Sequence, residues 1–286
     1  MKTPSLASDI EAKRDALLRI VHSLGKAAVA FSGGIDSTVV AKAAQLALGS
    51  NALAVTADSP SVPRSELAEA RELAARIGIR HHIIRTSEFA NADYTRNDGT
   101  RCYHCKDELY GRIEELLPEL GFDVICSGAN LDDKGDYRPG LTAAAEHGVR
   151  HPLQEAGFTK ADVRALARHW DLPTWDKPAS PCLSSRLAPG VEVTMERTAR
   201  VEKAEAHLRA LGYREFRVRL HEGELARIEV PPSGLARLAE PAVRDELVRA
   251  FKELGFKFVT LDLEGFRTGS MNELITLETR RRFQTT

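Results

Sequence analysis

The stretch AVAFSGGIDSTVVAK constrains the fold more than any other part of the chain. Residues 26–31 (KAAVAF) form a short apolar run that reads as a buried strand. Residues 37–48 (STVVAKAAQLAL) have helical composition and are closed by Gly49. Between them lie Ser32, Gly33, Gly34, Ile35, Asp36 and Ser37. A second apolar run, residues 51–57 (NALAVTA), follows the helix. Strand, glycine turn, helix and strand in that order predict a βαβ unit. The paired glycines let the backbone approach an anion closely. The helix start behind them offers N–H groups and the positive end of its dipole. Ser32 and Ser37 add hydroxyls. The spacing matches neither G-x-x-x-x-G-K-[ST] nor G-x-G-x-x-G, so this is a phosphate cradle of a different kind. The alternative is a glycine-rich turn without a ligand.

The pattern continues downstream. Helical spacing covers residues 63–77, ending at Gly78, and strand-like HHIIR follows at 81–85. Helix-like stretches at 106–116, 141–146 and 159–170 flank the strand DVICS at 123–127. Thr159 is a candidate N-cap, with Asp162 three residues later. Strands alternating with helices predict an α/β domain built on a parallel sheet with right-handed crossovers. The character changes after Pro189-Gly190. A helix pattern at 194–211 leads to FRVRL and LARIEV, two alternating runs joined by HEGE, which predict a hairpin. A helix at 243–254 and a strand at 257–263 follow. These readings predict a domain over 1–190 and a smaller α+β domain over 191–286. The N-terminal stretch reads as a surface helix and the tail RRRF as a solvated end. In an open parallel sheet, ligands sit beyond the C-terminal strand ends. Asp58 after NALAVTA and Gly128 after DVICS are therefore placed to meet an adenosine. Asp132 and Asp133 in GANLDD either orient ribose or magnesium, or serve as turn and cap residues.

Net charge is −1 over 286 residues, so no global basic field marks a nucleic-acid partner. No apolar run is long enough to span a bilayer, and the N-terminus lacks the pattern of an export signal. The expectation is a cytoplasmic chain without structural disulfides. Its four cysteines are then buried, metal-binding or reactive. Cys126 lies inside an apolar strand and reads as core. Cys182 lies in PASPCLSSRL, a polar, turn-like stretch stiffened by Pro178 and Pro181. Arg186, with Lys177, is placed to stabilise its thiolate. Cys102 and Cys105, in RCYHCK, read as a redox pair, part of a zinc or iron–sulfur site, or a helix start with no role. Arg217 and Arg219 share one strand face. They suit a phosphate, or form a solvated face paired with Glu222, Glu224 or Glu229.

SGGIDS resembles the pyrophosphate loop of the ATP pyrophosphatase (N-type, PP-loop) superfamily, whose fold is adenine nucleotide alpha hydrolase-like. Its members cleave ATP between the α- and β-phosphates, adenylate an oxygen and let a nucleophile displace AMP. The resemblance implies that Ser32, Gly33, Gly34, Asp36 and Ser37 cradle pyrophosphate, with magnesium offsetting its charge. SGGIDS, RCYHCK, SGANLDD, PCLSSR, FRVRLHEGELARIEV and FRTGSMNE occur in this order. Together, over nearly the whole chain, they resemble the LarE family of ATP-dependent sulfur transferases. That resemblance implies adenylation of the carboxylates of pyridinium-3,5-biscarboxylic acid mononucleotide and their conversion to thiocarboxylates, on the way to the nickel-pincer nucleotide of lactate racemase. Cys182 matches the cysteine that gives up its own sulfur in the sacrificial form of the reaction.

Some LarE-like and tRNA-thiolating relatives carry sulfide on a [4Fe-4S] cluster with one open iron. Cys102, Cys105 and Cys182 suit such a cluster, so the expectation is cluster-borne sulfide from an external donor, with sacrifice of Cys182 as the alternative. The resemblance also turns Arg217 and Arg219 toward the substrate's phosphate and implies a homo-oligomer. Glu205 and Glu229 are placed to assist at the metal or at subunit contacts, while Arg267 and Ser270 match the family's C-terminal motif without a derived role. A tRNA-thiolating enzyme would show a basic surface or an added RNA-binding module. A regulator that had lost catalysis would show a damaged loop or a missing thiol.

Overall fold

The structure, a computed structural model, describes residues 7–134, 137–267 and 269–283. The chain divides into two compact units. Among the described residues, the first takes 7–87, 102–180 and 281–283, and the second takes Glu88–Arg101 and Pro181–Arg280.

The elements α1 (Ser8–Ser23), β1 (Ala27–Ala30), α2 (Ile35–Leu48), β2 (Ala52–Asp58), α3 (Arg64–Ile77) and β3 (Arg80–Arg85) open the first unit. A single turn, α4 (Ala92–Thr95), belongs to the second. The first unit resumes within α5 (Arg101–Leu120) and continues through β4 (Val124–Cys126), α6 (Pro139–Glu146), α7 (Pro152–Glu155) and α8 (Lys160–His169). The four strands form one parallel sheet in the order β3-β2-β1-β4, with Ala27 level with both Ala52 and Val124. Strand residues alternate between two apolar layers. Ala27, Val29, Phe31, Ala54 and Cys126 face one layer with Val39, Phe158 and Leu166. Ala28, Leu53, Val55 and Ile125 face the other with Tyr110 and Ile113. Burial on both faces is why β1, β2 and β4 read as unbroken apolar runs rather than alternating ones. The chain leaves β1 for β2 and β3 on one side and returns to β4 on the other. The switch point of the sheet therefore lies between the C-terminal ends of β1 and β4.

The second unit holds α9 (Met195–Ala210), β5 (Arg217–His221), β6 (Leu225–Glu229), α10 (Pro232–Ala239), α11 (Pro241–Glu253) and β7 (Phe258–Leu261), and α12 (Leu277–Arg282) runs from it into the last residues of the first. β5 and β6 are antiparallel, and β6 and β7 are parallel. The turn between β5 and β6 places Gly223 and Glu224 at φ 72° and 58°. The second unit starts at Pro181, ahead of the composition change at 190, because Ala188 N–H donates to the Leu220 carbonyl at 2.9 Å and joins this stretch to β5.

The tail differs from its expectation. Phe283 is buried, with its ring 6.2 Å from that of Tyr103 and 6.3 Å from that of Tyr137, so the end of RRRF is packed rather than solvated. Residues 1–6 of the expected N-terminal helix, and Thr268 of FRTGSMNE, lie outside the described residues. α1 is not a purely surface helix, since Leu17 and Val21 enter the core. Among the described residues, no helix is long and apolar enough to cross a membrane.

Candidate functional site

The glycine loop lies at the switch point. Gly33 has φ 71°, a conformation that favours glycine. A Cβ there would also meet Ala70 Cβ of α3 at 3.3 Å. Gly34 is the N-cap of α2, and no side chain caps this helix, so its first-turn N–H groups face forward. The serines brace the turn. Ser37 Oγ accepts from Ser32 N–H at 3.2 Å and donates to the Gly34 carbonyl at 3.1 Å. Thr38 Oγ1 donates to the same carbonyl at 2.8 Å. The strand end behind the loop is fixed by Thr56, whose hydroxyl donates to the Phe31 carbonyl at 2.6 Å and lies 2.8 Å from His81 Nε2. Burial, helped by Arg71, holds His81 below its ordinary pKa and keeps it neutral.

The segment after β4 closes on this loop from the other side. A Cβ on Gly128 would lie 2.6 Å from Ser37 N and 2.9 Å from the Asp36 carbonyl carbon. Only glycine permits that approach. Asn130 Nδ2 donates to Asp36 Oδ1 at 3.1 Å, and Lys160 Nζ donates to Asp36 Oδ2 at 2.5 Å. Asp36 is thus turned toward a cation and an amide at the mouth of the loop. Asp132 accepts from Lys160 N–H at 2.8 Å, and Asp133 accepts from Asn130 N–H at 3.0 Å, so both aspartates serve as cap and turn residues. Ser127 Oγ lies 2.8 Å from His151 Nδ1, and burial lowers the pKa of that histidine. Asp58 ends β2 and pairs with Arg64 at 2.6 Å. Ser32, Gly33, Gly34, Asp36, Ser37 and Gly128 therefore come together, with Asp58 at the end of the adjacent strand. Asn130 and Lys160 are members that pattern reading missed. The signals available were the glycine-led GANLDD and the Thr159-capped helix that Lys160 opens.

In the second unit, Cys182 is partly exposed and precedes a single turn, Leu183–Arg186. Arg186 is buried, and its guanidinium serves the loop rather than the thiol. Nε donates to Glu205 Oε1 at 3.0 Å, and Nη1 donates to the Cys182 carbonyl at 3.0 Å and to the Pro181 carbonyl. Its guanidinium pairs with Glu205 and holds the Cys182 carbonyl, whereas the expectation for Arg186 is activation of the Cys182 thiol. Lys177 is likewise engaged elsewhere, by Glu66 and Glu69 of α3. Ser185 Oγ donates to the Cys182 carbonyl at 2.6 Å. Arg219 reaches the Ser185 carbonyl at 3.3 Å while pairing with Glu229 at 2.8 Å. Arg219, Arg217 and Glu229 are all buried, so this is not a solvated strand face. Burial, together with the charges of Arg186 and Arg219, pushes the Arg217 guanidinium down to about 10. Its side chain lies 5.1 Å over the Phe266 ring.

The chain is similar to several known proteins. Residues 11–101 match the asparagine synthase family model. A protein of Synechocystis with no assigned activity is 46% identical over 93% of this chain and 99% of its own. The pyridinium-3,5-bisthiocarboxylic acid mononucleotide synthase of Lactiplantibacillus plantarum is 40% identical over 92% of this chain and 95% of its own. The chain belongs to the LarE family. It is an ATP-dependent sulfur transferase on an adenine nucleotide alpha hydrolase-like domain. An uncharacterised protein of Methanocaldococcus jannaschii is 27% identical over 85% of this chain and 91% of its own.

The remaining cysteines of this LarE-family chain divide by environment. Burial pushes the Cys126 thiol up to about 12, so it is a core residue. Cys102 and Cys105 lie three residues apart on the first turns of α5, exposed and partly exposed. The cluster expected on Cys102, Cys105 and Cys182 needs three thiolates at one place. Those cysteines are split between two units, and among the described residues no group of three His, Cys, Asp or Glu side chains is gathered to hold a metal ion.

Proposed function

We propose that this chain adenylates the carboxylates of pyridinium-3,5-biscarboxylic acid mononucleotide and converts them to thiocarboxylates, with sulfur passing through Cys182. The observation that carries the reading is the pairing of two features in a LarE-family chain. One is an uncapped helix start behind Gly33-Gly34. The other is a partly exposed cysteine on a turn held by the buried Arg186–Glu205 pair.

A carboxylate resists attack because its oxygen is a poor leaving group. The carboxylate oxygen takes the α-phosphoryl of ATP and releases pyrophosphate, which the α2 N-terminus and Ser32 and Ser37 are suited to hold. Lys160 is at hand for the same negative charge. Magnesium bound with the triphosphate would supply further charge neutralisation, and Asp36, now held by Asn130 and Lys160, is the carboxylate that would hold it. The Cys182 thiolate then attacks the acyl carbon, and AMP leaves with the bonding pair. A base next removes the Cys182 Cα proton, and the Cβ–S bond breaks. Sulfur stays on the substrate as a thiocarboxylate, and dehydroalanine remains in the protein. Arg217 and Arg219 are assigned to the substrate's phosphate, since an anion would offset the burial, and after it the neighbouring positive charges, that depress Arg217.

The test is incubation of the full chain with MgATP and the biscarboxylate mononucleotide, followed by mass spectra of product and protein. The expected result is a thiocarboxylate product and a chain that has lost the elements of hydrogen sulfide at residue 182. C182S should keep pyrophosphate release and form no thiocarboxylate. Repeated turnover in added sulfide by an iron-containing protein with Cys182 intact would overturn the sacrificial route in favour of the cluster.

A further inference from the structure

The cysteine loop hangs from a stem that is fastened with unusual care. Lys177 Nζ lies 2.6 Å from Glu66 Oε2 and 2.8 Å from Glu69 Oε2, and its side chain is only 15% exposed. Glu66 and Glu69 are three residues apart on α3, so without a cation between them their carboxylates repel. Burial alone would lower the Lys177 pKa, but the two carboxylates outweigh it and hold the ammonium charged. The residues before Lys177 are pinned as well. Lys177 N–H donates to the Thr174 carbonyl at 3.1 Å, and Arg164 donates to the Trp175 carbonyl at 3.0 Å. Arg168 lies 5.0 Å over the Trp175 ring.

Pro178, Ala179, Ser180 and Pro181 are exposed, and the chain passes from one unit to the other between Ser180 and Pro181. Five residues, 178–182, span at most about 18 Å when extended. Two of them are prolines with fixed φ, which narrows the conformations open to this connecting strut. The strut starts from the helix that seats the anion loop, because Ala70, next to Glu69, is the residue against which Gly33 packs.

We propose that Lys177 is a positioning residue that fastens the stem of the cysteine loop to α3 and so limits where Cys182 can go. The proposal rests on the reading of Cys182 as the sulfur-handling residue. Adenylation uses the glycine loop and does not need the strut. Sulfur transfer needs the thiol brought to the acyl carbon, and a fixed starting point raises its effective concentration there. Loss of the anchor should therefore separate the two half-reactions.

K177M, K177R and the double variant E66Q/E69Q, each in the full-length chain, test this in single-turnover experiments with MgATP and the biscarboxylate mononucleotide. Pyrophosphate release by K177M should stay within about twofold of the parent, while thiocarboxylate formation slows by about 10- to 100-fold. K177R should recover most of that loss, and E66Q/E69Q should reproduce it. Amide exchange in the peptide covering residues 173–185 should accelerate in K177M and E66Q/E69Q but not in K177R. Equal rates for both half-reactions in K177M, or a parallel fall in both, would overturn the proposal. Unchanged exchange would overturn it too. If K177M fails to melt cooperatively, K177R and E66Q/E69Q carry the comparison. If the parent chain makes no thiocarboxylate, the functional reading has failed instead, and the exchange data alone decide whether Lys177 is the anchor.

Discussion

Gly128 is the residue at which the nucleotide end of the sheet has least room. The atoms a Cβ would strike, Ser37 N and the Asp36 carbonyl carbon, are backbone and cannot rotate away. Substitution must therefore push the start of α2 off the segment that carries Asn130. G128A should cost about 1–3 kcal/mol of stability through overpacking, and should lower ATP-dependent pyrophosphate release by at least about 100-fold. Thermal melts with a pyrophosphate assay on the same samples check both. A G128A enzyme with parental release would show that this approach does not shape the site. The glycine itself was legible in the sequence, because a glycine after a buried strand is a statement about space. Asn130 and Lys160 were not, since their partner Asp36 is 94 and 124 residues away and no local pattern reports it. Arg186 was legible as a charge near Cys182, but its partner Glu205, 19 residues on, decides what the charge does.

A histidine helps to join α5 to α6. His147, the C-cap of α6, lies 2.8 Å from Glu114 and 3.0 Å from Asp107 through its two ring nitrogens, and both carboxylates belong to α5. Only the imidazolium donates from both nitrogens. Burial opposes that charge, but the hydrogen bonds His147 donates to Asp107 and Glu114 outweigh it and raise its pKa. The folded pKa therefore lies above the unfolded value of about 6.5, so this stabilisation is fully present below about pH 6.5 and is lost as pH rises through the raised pKa. H147A should be less stable than the parent by about 0.5–1 kcal/mol near pH 6, a figure kept small because the carboxylates are about half exposed to solvent. The gap should shrink by pH 9. Paired melts across that range test it, and a gap independent of pH would refute the charged brace. Elements with their own punctuation were readable from sequence, as the Thr159–Asp162 capping box of α8 illustrates. α10 escaped, because PPSG reads as a breaker until Pro232 is recognised as a first-turn residue whose missing N–H costs nothing there.

At the scale of the whole molecule, the second unit is completed by a segment from far upstream. The Tyr94 hydroxyl lies 2.8 Å from Ser184 Oγ, and Arg101 donates to the Ser184 carbonyl at 2.8 Å. Asn97 Nδ2 donates to the carbonyls of Ala188 at 2.8 Å and Val191 at 2.9 Å, while its own carbonyl accepts from Gly190 N–H at 2.8 Å. Thr95 accepts from Val193 N–H at 2.8 Å. A composition change can mark where a chain alters character, but it cannot show that Glu88–Arg101 folds with residues some ninety positions later. The consequence is testable by division. Residues 181–280 alone would leave the Ser184, Ala188 and Val191 acceptors and the Gly190 and Val193 donors without these partners. Each such group costs about 1–3 kcal/mol where it stays buried, and the four on buried residues (Gly190 is exposed) rival the roughly 5–15 kcal/mol that holds a whole domain folded. The fragment 181–280 should therefore show no cooperative thermal transition. The same fragment joined to residues 88–101 through a flexible glycine–serine linker should regain one, and N97A in that fusion should lower its midpoint by several degrees. A cooperative melt of 181–280 alone, at the midpoint of the fusion, would mean that the upstream segment merely rests on a unit already complete without it.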